Sequence, residues 1–485
     1  MTVDVAIGLD MGSTSIKVLA ATLGGEELLV LHNPSPWRTI DHDCTEMSAD
    51  DVLESVFDLL HRAGTQLEKH HGDYRVVGIG VSGMAEAGVL LSSDGVVAAP
   101  IIAWFDPRGA IEIRATPQRF QDEFSGRTGL PVGPIATIAK LLYLKGTGVE
   151  LSGKRWLNVP EYVAHVLGGQ TRTEYSLASR TGLLDQDNGE PWSAALDLLA
   201  VDDDFLPKRC NAGDALGEAR HPSLPVGFLG AALAIAGHDH LVSAVAAGAR
   251  SSDQLYDSIG TAEALVRILD EQLPFKARER LALAGVNSLR HVMPGKYALL
   301  AATKAGLLMG RAFQVLGISE SSGRQALDEA TMALPVEGNL APGSIEVTGA
   351  RNDDGVMRVR VNADGASPAE LFTATLLHGN DMCAELIEAM NLEVPAATSC
   401  LLTGGWARMK SVSRARGRLF PHTSNSHRTE DTAFGAALFG AYAAEQRGVV
   451  ASADRFARLA AEFCGSAPAT AAHQTAEIHK QGAVS

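Results

Sequence analysis

The sequence predicts an α/β protein of two domains, and three observations carry that reading. At 485 residues the chain exceeds what one ordinary core accommodates, so two or three domains are expected. Short apolar runs ending in glycine or a carboxylate alternate with amphipathic helical stretches, the pattern of sheets covered by helices. A hairpin-like segment near the start, AIGLDMGSTSIKVLA over Ala6–Ala20, has a counterpart near the middle, DQLYDSIGTAEALV over Asp253–Val266.

In the first hairpin Val5, Ile7 and Leu9 alternate toward one side, Asp10 ends the run, and Gly12-Ser13-Thr14 turns the chain before Ile16, Val18 and Leu19 resume it. Backbone N–H groups and hydroxyls in such a tip suit a phosphate, and Asp10 suits the Mg²⁺ that accompanies a nucleotide, although any tight turn recruits the same residue types. A P-loop or Rossmann turn would feed a helix. Here Ile16–Leu19 continues as a strand, so Gly12 bends a hairpin. Glu27–Leu31 predicts a third strand and Trp37–Glu46 a polar loop. Ser48 is placed as the N-cap of a helix whose apolar face is Val52, Leu53, Val56, Phe57, Leu60 and Ala63. RVVGIGV over Arg75–Val81 predicts a buried strand running into Ser82-Gly83, and α/β sheets place ligands beyond such strand ends.

Glu86 and the segment AWFDPR, with Trp104, Asp106 and Arg108, follow that strand. Either carboxylate can accept hydrogen bonds from a substrate hydroxyl, and Trp104 can pack on the carbon face of a polyol. The competing readings are a local Asp106–Arg108 ion pair and core packing for Trp104. Helices are expected within Thr128–Lys145 and over Trp156–Val166, then a Ser/Thr-rich crossing over Tyr175–Leu184 without legible chemistry. LAIAGHDHLVSAVAAGA over Leu233–Ala249 predicts a strand, Gly237, and His238-Asp239-His240 at the mouth of an Ala-rich helix. Asp239 is a candidate catalytic carboxylate and also suits a helix cap. A His-Asp-His metal clamp is set aside because no further His or Cys group lies nearby in sequence.

In the second hairpin Gly260-Thr261 forms the turn. A long helix is expected over Ala369–Leu392, Leu401-Leu402-Thr403-Gly404-Gly405 ends a strand in two glycines, and a further helix begins near Trp406. Glu430–Gln446 predicts a helix whose Gly435, Ala436, Ala437 and Gly440 permit close packing. Ser452–Phe463 predicts one more, and Gly465–Ser485 an Ala/Gly/Gln-rich tail that is partly disordered. The expected division is an N-terminal unit over residues 1–249, a C-terminal unit over 250–450, and a last segment over 451–485.

Acidic residues number 57 against 41 Lys plus Arg, a formal charge of −16 that argues against nucleic acid or an anionic membrane as partner. A small neutral or chelated substrate fits better. The five cysteines form no C-x-x-C pair, so a reducing cytoplasm without disulfides or a zinc site is expected. The first residues enter a strand instead of a basic and apolar leader, and Lys304 interrupts Tyr297–Met309, so neither a signal peptide nor a membrane span is expected.

With Asp10-x-Gly12-Ser13-Thr14, Ser82-Gly83, AWFDPR, GHDH, Gly260-Thr261 and LLTGG in this order from Ile7 to about Ala443, the chain resembles the FGGY carbohydrate kinases. The resemblance implies two actin-like, ribonuclease-H-like α/β domains around a deep cleft, and phosphoryl transfer from ATP, with Mg²⁺, to a hydroxyl of a sugar or polyol. It implies that Asp10 is associated with magnesium, that Ser13, Thr14 and Lys17 lie at the phosphates beside Gly12, and that Asp239 is the general base. Gly260 and Thr261 then form the second phosphate loop, with Gly404 and Gly405 beneath the adenosine, while Glu86, Trp104, Asp106 and His240 fall where the family holds its sugar. Many ketose kinases carry Gln-Met-His-Gly after Ser-Gly. Here Met84-Ala85-Glu86-Ala87 stands instead, and Glu86 is similar to the glutamate of glycerol kinases. His240 likewise replaces an amide. A linear polyol such as glycerol or a tetritol is therefore the alternative to a pentulose or hexulose, and a catalytically idle nucleotide and sugar sensor is the alternative of another class. Family members are often dimers, so a homodimer is the matching expectation.

Overall fold

The computed structural model of the chain describes residues 2–41, 44–349, 356–426, 428–446 and 452–465. Strands β1 (Val3–Met11) and β2 (Ser15–Thr22) form the predicted hairpin, with Asp10 opposite Lys17 and Met11 opposite Ile16. β3 (Glu27–Pro34) joins β2 antiparallel. A parallel neighbour needs a crossover, and α1 (Ala49–His71) supplies it. Its Val52, Val56, Leu59, Leu60, Ala63 and Leu67 recur at helical spacing and are buried, and the Ser48 side chain accepts bonds from the N–H groups of Asp50 and Asp51. β4 (Tyr74–Gly83) then runs parallel to β1, and β5 (Ala232–His238) parallel to β4, giving the order β3-β2-β1-β4-β5.

The second sheet repeats this plan. β6 (Gln254–Ile259) and β7 (Glu263–Leu269) form the hairpin, β8 (Val286–Arg290) and β9 (Tyr297–Thr303) extend it antiparallel, and β10 (Ser399–Thr403) and β11 (His422–Asn425) lie parallel on the other side of β6. The order is β8-β9-β7-β6-β10-β11. Without the edge strand β8, order and sense match the first sheet strand for strand, which the two weakly similar hairpin sequences only suggested.

Five further helices matter for the site: α2 (Asp239–Ala247), α3 (Ala305–Val315), α4 (Pro368–Asn391), α5 (Asp431–Glu445) and α6 (Ala453–Gly465). α5, late in the chain, packs on the first sheet. Gly8, Gly78 and Gly80 of β1 and β4 face it, and a Cβ on Gly8 would fall 1.8 Å from the Ala433 carbonyl oxygen. Gly435 lies against Val242 of α2 on another side, while Phe434 and Phe439 meet Phe463 and Phe456 of α6 at ring centroid distances of 4.9 and 4.8 Å. A helix so enclosed is apolar all round, and its buried residues run almost without interruption from Asp431 to Ala443.

Two expectations change. The polar stretch Trp37–Glu46 is no plain loop: Arg38–Asp41 and Cys44–Met47 pair as a short hairpin that continues to Ile101–Ile102. Trp156–Val166 opens as the strand Arg155–Asn158, and the helix starts at Val159, where Asn158 and Glu161 close a capping box with Pro160 inside the first turn. The expected tail beyond Gly465 lies outside the described residues. All five cysteines are free of disulfides, and no described helix is long and apolar enough to cross a membrane.

Candidate active site

The site gathers where β1, β5 and the start of α5 meet. Asp10, next to last in β1, is buried, with Oδ2 4.0 Å from Lys17 Nζ and Oδ1 lacking a hydrogen-bond partner. Burial pushes its carboxyl up to about 7, with Lys17 opposing and the Asp239 and Glu430 carboxylates adding to the rise. Lys17 Nζ also lies 2.5 Å from Glu430 Oε2, just before α5. A buried, reluctantly ionised carboxylate with an orphaned oxygen fits a divalent cation, whose charge would favour its ionised form.

The hairpin tip is braced from outside. Ser35 Oγ donates to Gly12 O (2.6 Å), Trp37 Nε1 to Ser13 O (2.7 Å), and Trp104 Nε1 to Ser13 Oγ (2.8 Å). The expected phosphate contact Ser13 and the expected sugar contact Trp104 therefore touch. Thr14 remains exposed at the tip.

Asp239 is the first helical residue of α2, with His238 in the cap position. Its Oδ1 accepts the His240 N–H at 2.7 Å and lies 2.8 Å from His238 Nδ1. Burial would raise its carboxyl, but the His240 and His238 imidazoles and these two contacts outweigh burial and hold it well below the usual carboxylate range. Burial likewise pushes the His240 imidazole below its ordinary value, against the pull of Asp239.

Glu86 is buried and adopts a left-handed backbone at φ 64°, costly for a residue with a side chain. Arg180 holds it: Nε and Nη2 lie 2.6 and 2.5 Å from Glu86 Oε1. Arg180 sits in the Ser/Thr-rich crossing whose chemistry was not legible, and both it and Glu86 act electrostatically on His240. Replacing Arg180 by methionine leaves the Glu86 carboxylate buried and unpaired, an expected loss of about 3–5 kcal/mol in denaturant unfolding. Adding Glu86→Gln should recover part of it.

Asp106 is redirected from the expected sugar contact. Its Oδ2 accepts the Thr45 N–H at 2.7 Å, and Arg108 reaches both oxygens through N, Nε and Nη2 at 2.8 to 3.1 Å. With its acceptor sites engaged and Arg108 also bound to Glu46, this carboxylate braces the loop. The local ion pair is the reading the geometry supports.

At the second sheet Gly404, at φ 90°, lies against the end of β6, where a Cβ would sit 2.4 Å from Ile259 O. Gly306, in the first turn of α3, lies against Gly260, whose carbonyl oxygen a Cβ would meet at 1.7 Å. The Gly260-Thr261 turn, the Gly404-Gly405 turn and the α3 start thus form one backbone-lined corner. It connects to the first sheet because Thr403 Oγ1 donates to Asp431 of α5 at 2.7 Å, next to Glu430 and Lys17.

A second cluster of carboxylates lies behind Asp239. Burial pushes Glu161 up to about 8 and Glu174 up to about 7, against the hydrogen bonds that each accepts. Both therefore take up protons on folding, and between the unfolded carboxylate value and pH 8 stability falls as pH rises. Thermal unfolding of Glu161→Gln should be flatter with pH than wild type over that window, the wild type losing more on the alkaline side.

Two mixed sheets of one plan, each with a glycine-hydroxyl hairpin, define the class as a two-domain actin-like protein. A glycerol kinase of Plasmodium falciparum with ADP has this fold, at a TM-score of 0.82 over 95% of this chain and 93% of that one, with 14% identity. Residues 5–246 match the N-terminal domain of the FGGY family of carbohydrate kinases. Gluconokinase of Bacillus subtilis (strain 168) is 23% identical over 282 residues, 55% of this chain and 52% of that protein. L-fuculokinase of Escherichia coli (strain K12) is 25% identical over 277 residues, 54% and 56% respectively. The chain matches these curated relatives over about half their length. It belongs to the FGGY family of carbohydrate kinases.

Proposed function

We propose that this protein transfers the γ-phosphoryl group of ATP to a hydroxyl of a small sugar or polyol, with Asp239 as general base. The observation that carries this is the placement of Asp239: half-buried at the mouth of α2, its Oδ1 accepting the His240 N–H at 2.7 Å and lying 2.8 Å from His238 Nδ1, with Asp10 within its electrostatic reach. Phosphoryl transfer needs positioning, charge neutralisation and one proton acceptor at the attacking oxygen, with little covalent help. Asp239 accepts the proton from the substrate hydroxyl. Gly12, Ser13, Thr14 and Lys17 on one side and Gly260 and Thr261 on the other meet the phosphates, and Gly404 and Gly405 underlie the nucleoside. Asp10 suits Mg²⁺, which would offset phosphate charge there.

Residues 1–249 then bind the acceptor and the first phosphate contacts, and 250–450 the nucleotide, apart from α5, which belongs spatially to the first sheet. Glu86 with Arg180, Trp104 and His240 face the acceptor. Glu86 in place of a ketose-type histidine favours a polyol, whereas the gluconokinase and L-fuculokinase relatives are named for a sugar acid and a sugar, so both classes enter the test. ADP release measured with pentuloses, hexuloses, rhamnulose, fuculose, gluconate, glycerol and tetritols identifies the acceptor. Ligand-dependent closure with no ADP formed on any of them would instead support a sensor.

A further inference from the structure

The peptide group that precedes Asp239 is held at both ends. Ser82 Oγ, at the end of β4, donates to Gly237 O at 3.0 Å, and the His238 N–H donates to Ser176 Oγ at 2.9 Å. These two atoms belong to one peptide unit, so its plane is pinned from two elements far apart in sequence. Ser176 accepts there because its own proton is used elsewhere: Ser176 Oγ donates to Glu174 Oε2 at 2.5 Å, and that oxygen also accepts the N–H groups of Ser176 (2.8 Å) and Leu177 (3.1 Å). Glu174 is itself placed by its backbone N–H, which donates to Glu161 Oε1 at 2.9 Å, while Glu161 Oε2 accepts both the N–H and the side-chain amide of Asn158.

The fit is close. Gly237 takes φ 104°, and a Cβ there would fall 2.7 Å from Ser176 Oγ, 3.0 Å from Glu174 Oε2 and 2.6 Å from Val292 Cγ1. Glu174, Ser176 and Ser82 are fully buried, so a carboxylate has been placed in the interior at a desolvation cost that capping a four-residue helix does not explain. Satisfying one backbone N–H would need only the serine. What the carboxylate adds is direction, since it accepts the serine O–H and leaves a serine lone pair turned toward the His238 N–H.

We propose that Glu174, Ser176 and Ser82 are positioning residues that fix the Gly237–His238 peptide and thereby the direction in which Asp239 presents its carboxylate. This rests on the reading of Asp239 as the base. None of the three needs to touch the substrate; they act through Asp239, and their contribution should vanish once Asp239 no longer accepts a proton.

The test is kinetic and uses the full chain with the acceptor found in the ADP-release panel. Ser176→Ala is expected to lower kcat about 10-fold with the ATP KM unchanged, the size of a modest misorientation of a reacting group. In an Asp239→Asn background the same change should cost less than about 2-fold, because residues acting as one unit are not additive. Ser82→Ala should behave alike, and Glu174→Gln, which keeps an acceptor oxygen for Ser176, should retain more turnover than Glu174→Ala. Equal losses in both backgrounds, or no loss in the wild-type background, would overturn the positioning role while leaving the base assignment standing. Wild-type turnover in Asp239→Asn alone would overturn the base and this role with it. If Ser176→Ala does not fold, Ser82→Ala carries the same pair of comparisons from the other end of the peptide.

Discussion

Asparagine at position 239 is expected to lower turnover by at least about 10²-fold while nucleotide affinity stays near wild type. The substitution is nearly isosteric, and its amide oxygen can still accept the His240 N–H that Asp239 Oδ1 accepts at 2.7 Å, so the start of α2 should keep its geometry. What it loses is the capacity to take a proton from the attacking hydroxyl. ATP contacts in the proposed arrangement come from the two hairpin tips and the glycine corner, none of which involves this side chain. Steady-state ADP release and a separate nucleotide titration check the two halves of the expectation. A mutant that turns over like wild type would remove Asp239 from the role of base. Because His240 and His238 hold the carboxyl well below the usual carboxylate range, removing either imidazole should move any acid limb of the rate profile toward higher pH.

The parts of this site that were legible in the sequence are those where the chemistry and its scaffold are neighbours along the chain. Asp10 ends an alternating strand and is followed at once by its turn. Asp239 follows an apolar strand and Gly237 and opens an Ala-rich helix. Both patterns compress strand, turn and functional side chain into one short window. The parts that were not legible depend on partners far away. Arg180 looks like any arginine in a Ser/Thr-rich stretch until Glu86 is found beside it. Asp106 looked available because only Arg108 was adjacent, whereas Thr45 and Glu46 complete that cluster from some sixty positions upstream. The short hairpin of Arg38–Asp41 and Cys44–Met47 is not legible for a related reason: its pairing is completed by Ile101–Ile102, and its residues carry no strong alternation of their own. Glu430, which meets Lys17 in the site, comes from the far end of the chain. Small residues in α5 did announce close packing, but not the surface that would receive it.

That surface sets a large expected effect on both stability and activity. Gly80→Ala should destabilise the protein by about 3 kcal/mol or more, at or beyond the upper end of ordinary overpacking, and should abolish activity in parallel. A Cβ at Gly80 would lie 1.9 Å from the Ala436 carbonyl oxygen and 2.9 Å from the Gly440 N. Both are backbone atoms of α5, so no side-chain rotation relieves the clash and the helix must move away from the sheet. It is not free to do so. Gly8 and Gly78 make equally close approaches along the same helix, and Gly435 fixes another side of it against Val242. The helix that would have to move begins beside the site, with Glu430 on Lys17 and Asp431 on Thr403, so displacement reaches Asp10 and the glycine corner together. The control is the same chemical change in an open place. Gly310 lies within α3, and a Cβ built on it meets no atom within 4 Å apart from its chain neighbours and its own helix backbone, so Gly310→Ala should be neutral or stabilise by up to about 1 kcal/mol through helix propensity. Denaturant unfolding of the two variants compares one added methyl at two glycines. If Gly80→Ala unfolds at the wild-type midpoint, the sheet and helix are not in the close contact that places the two halves of the site.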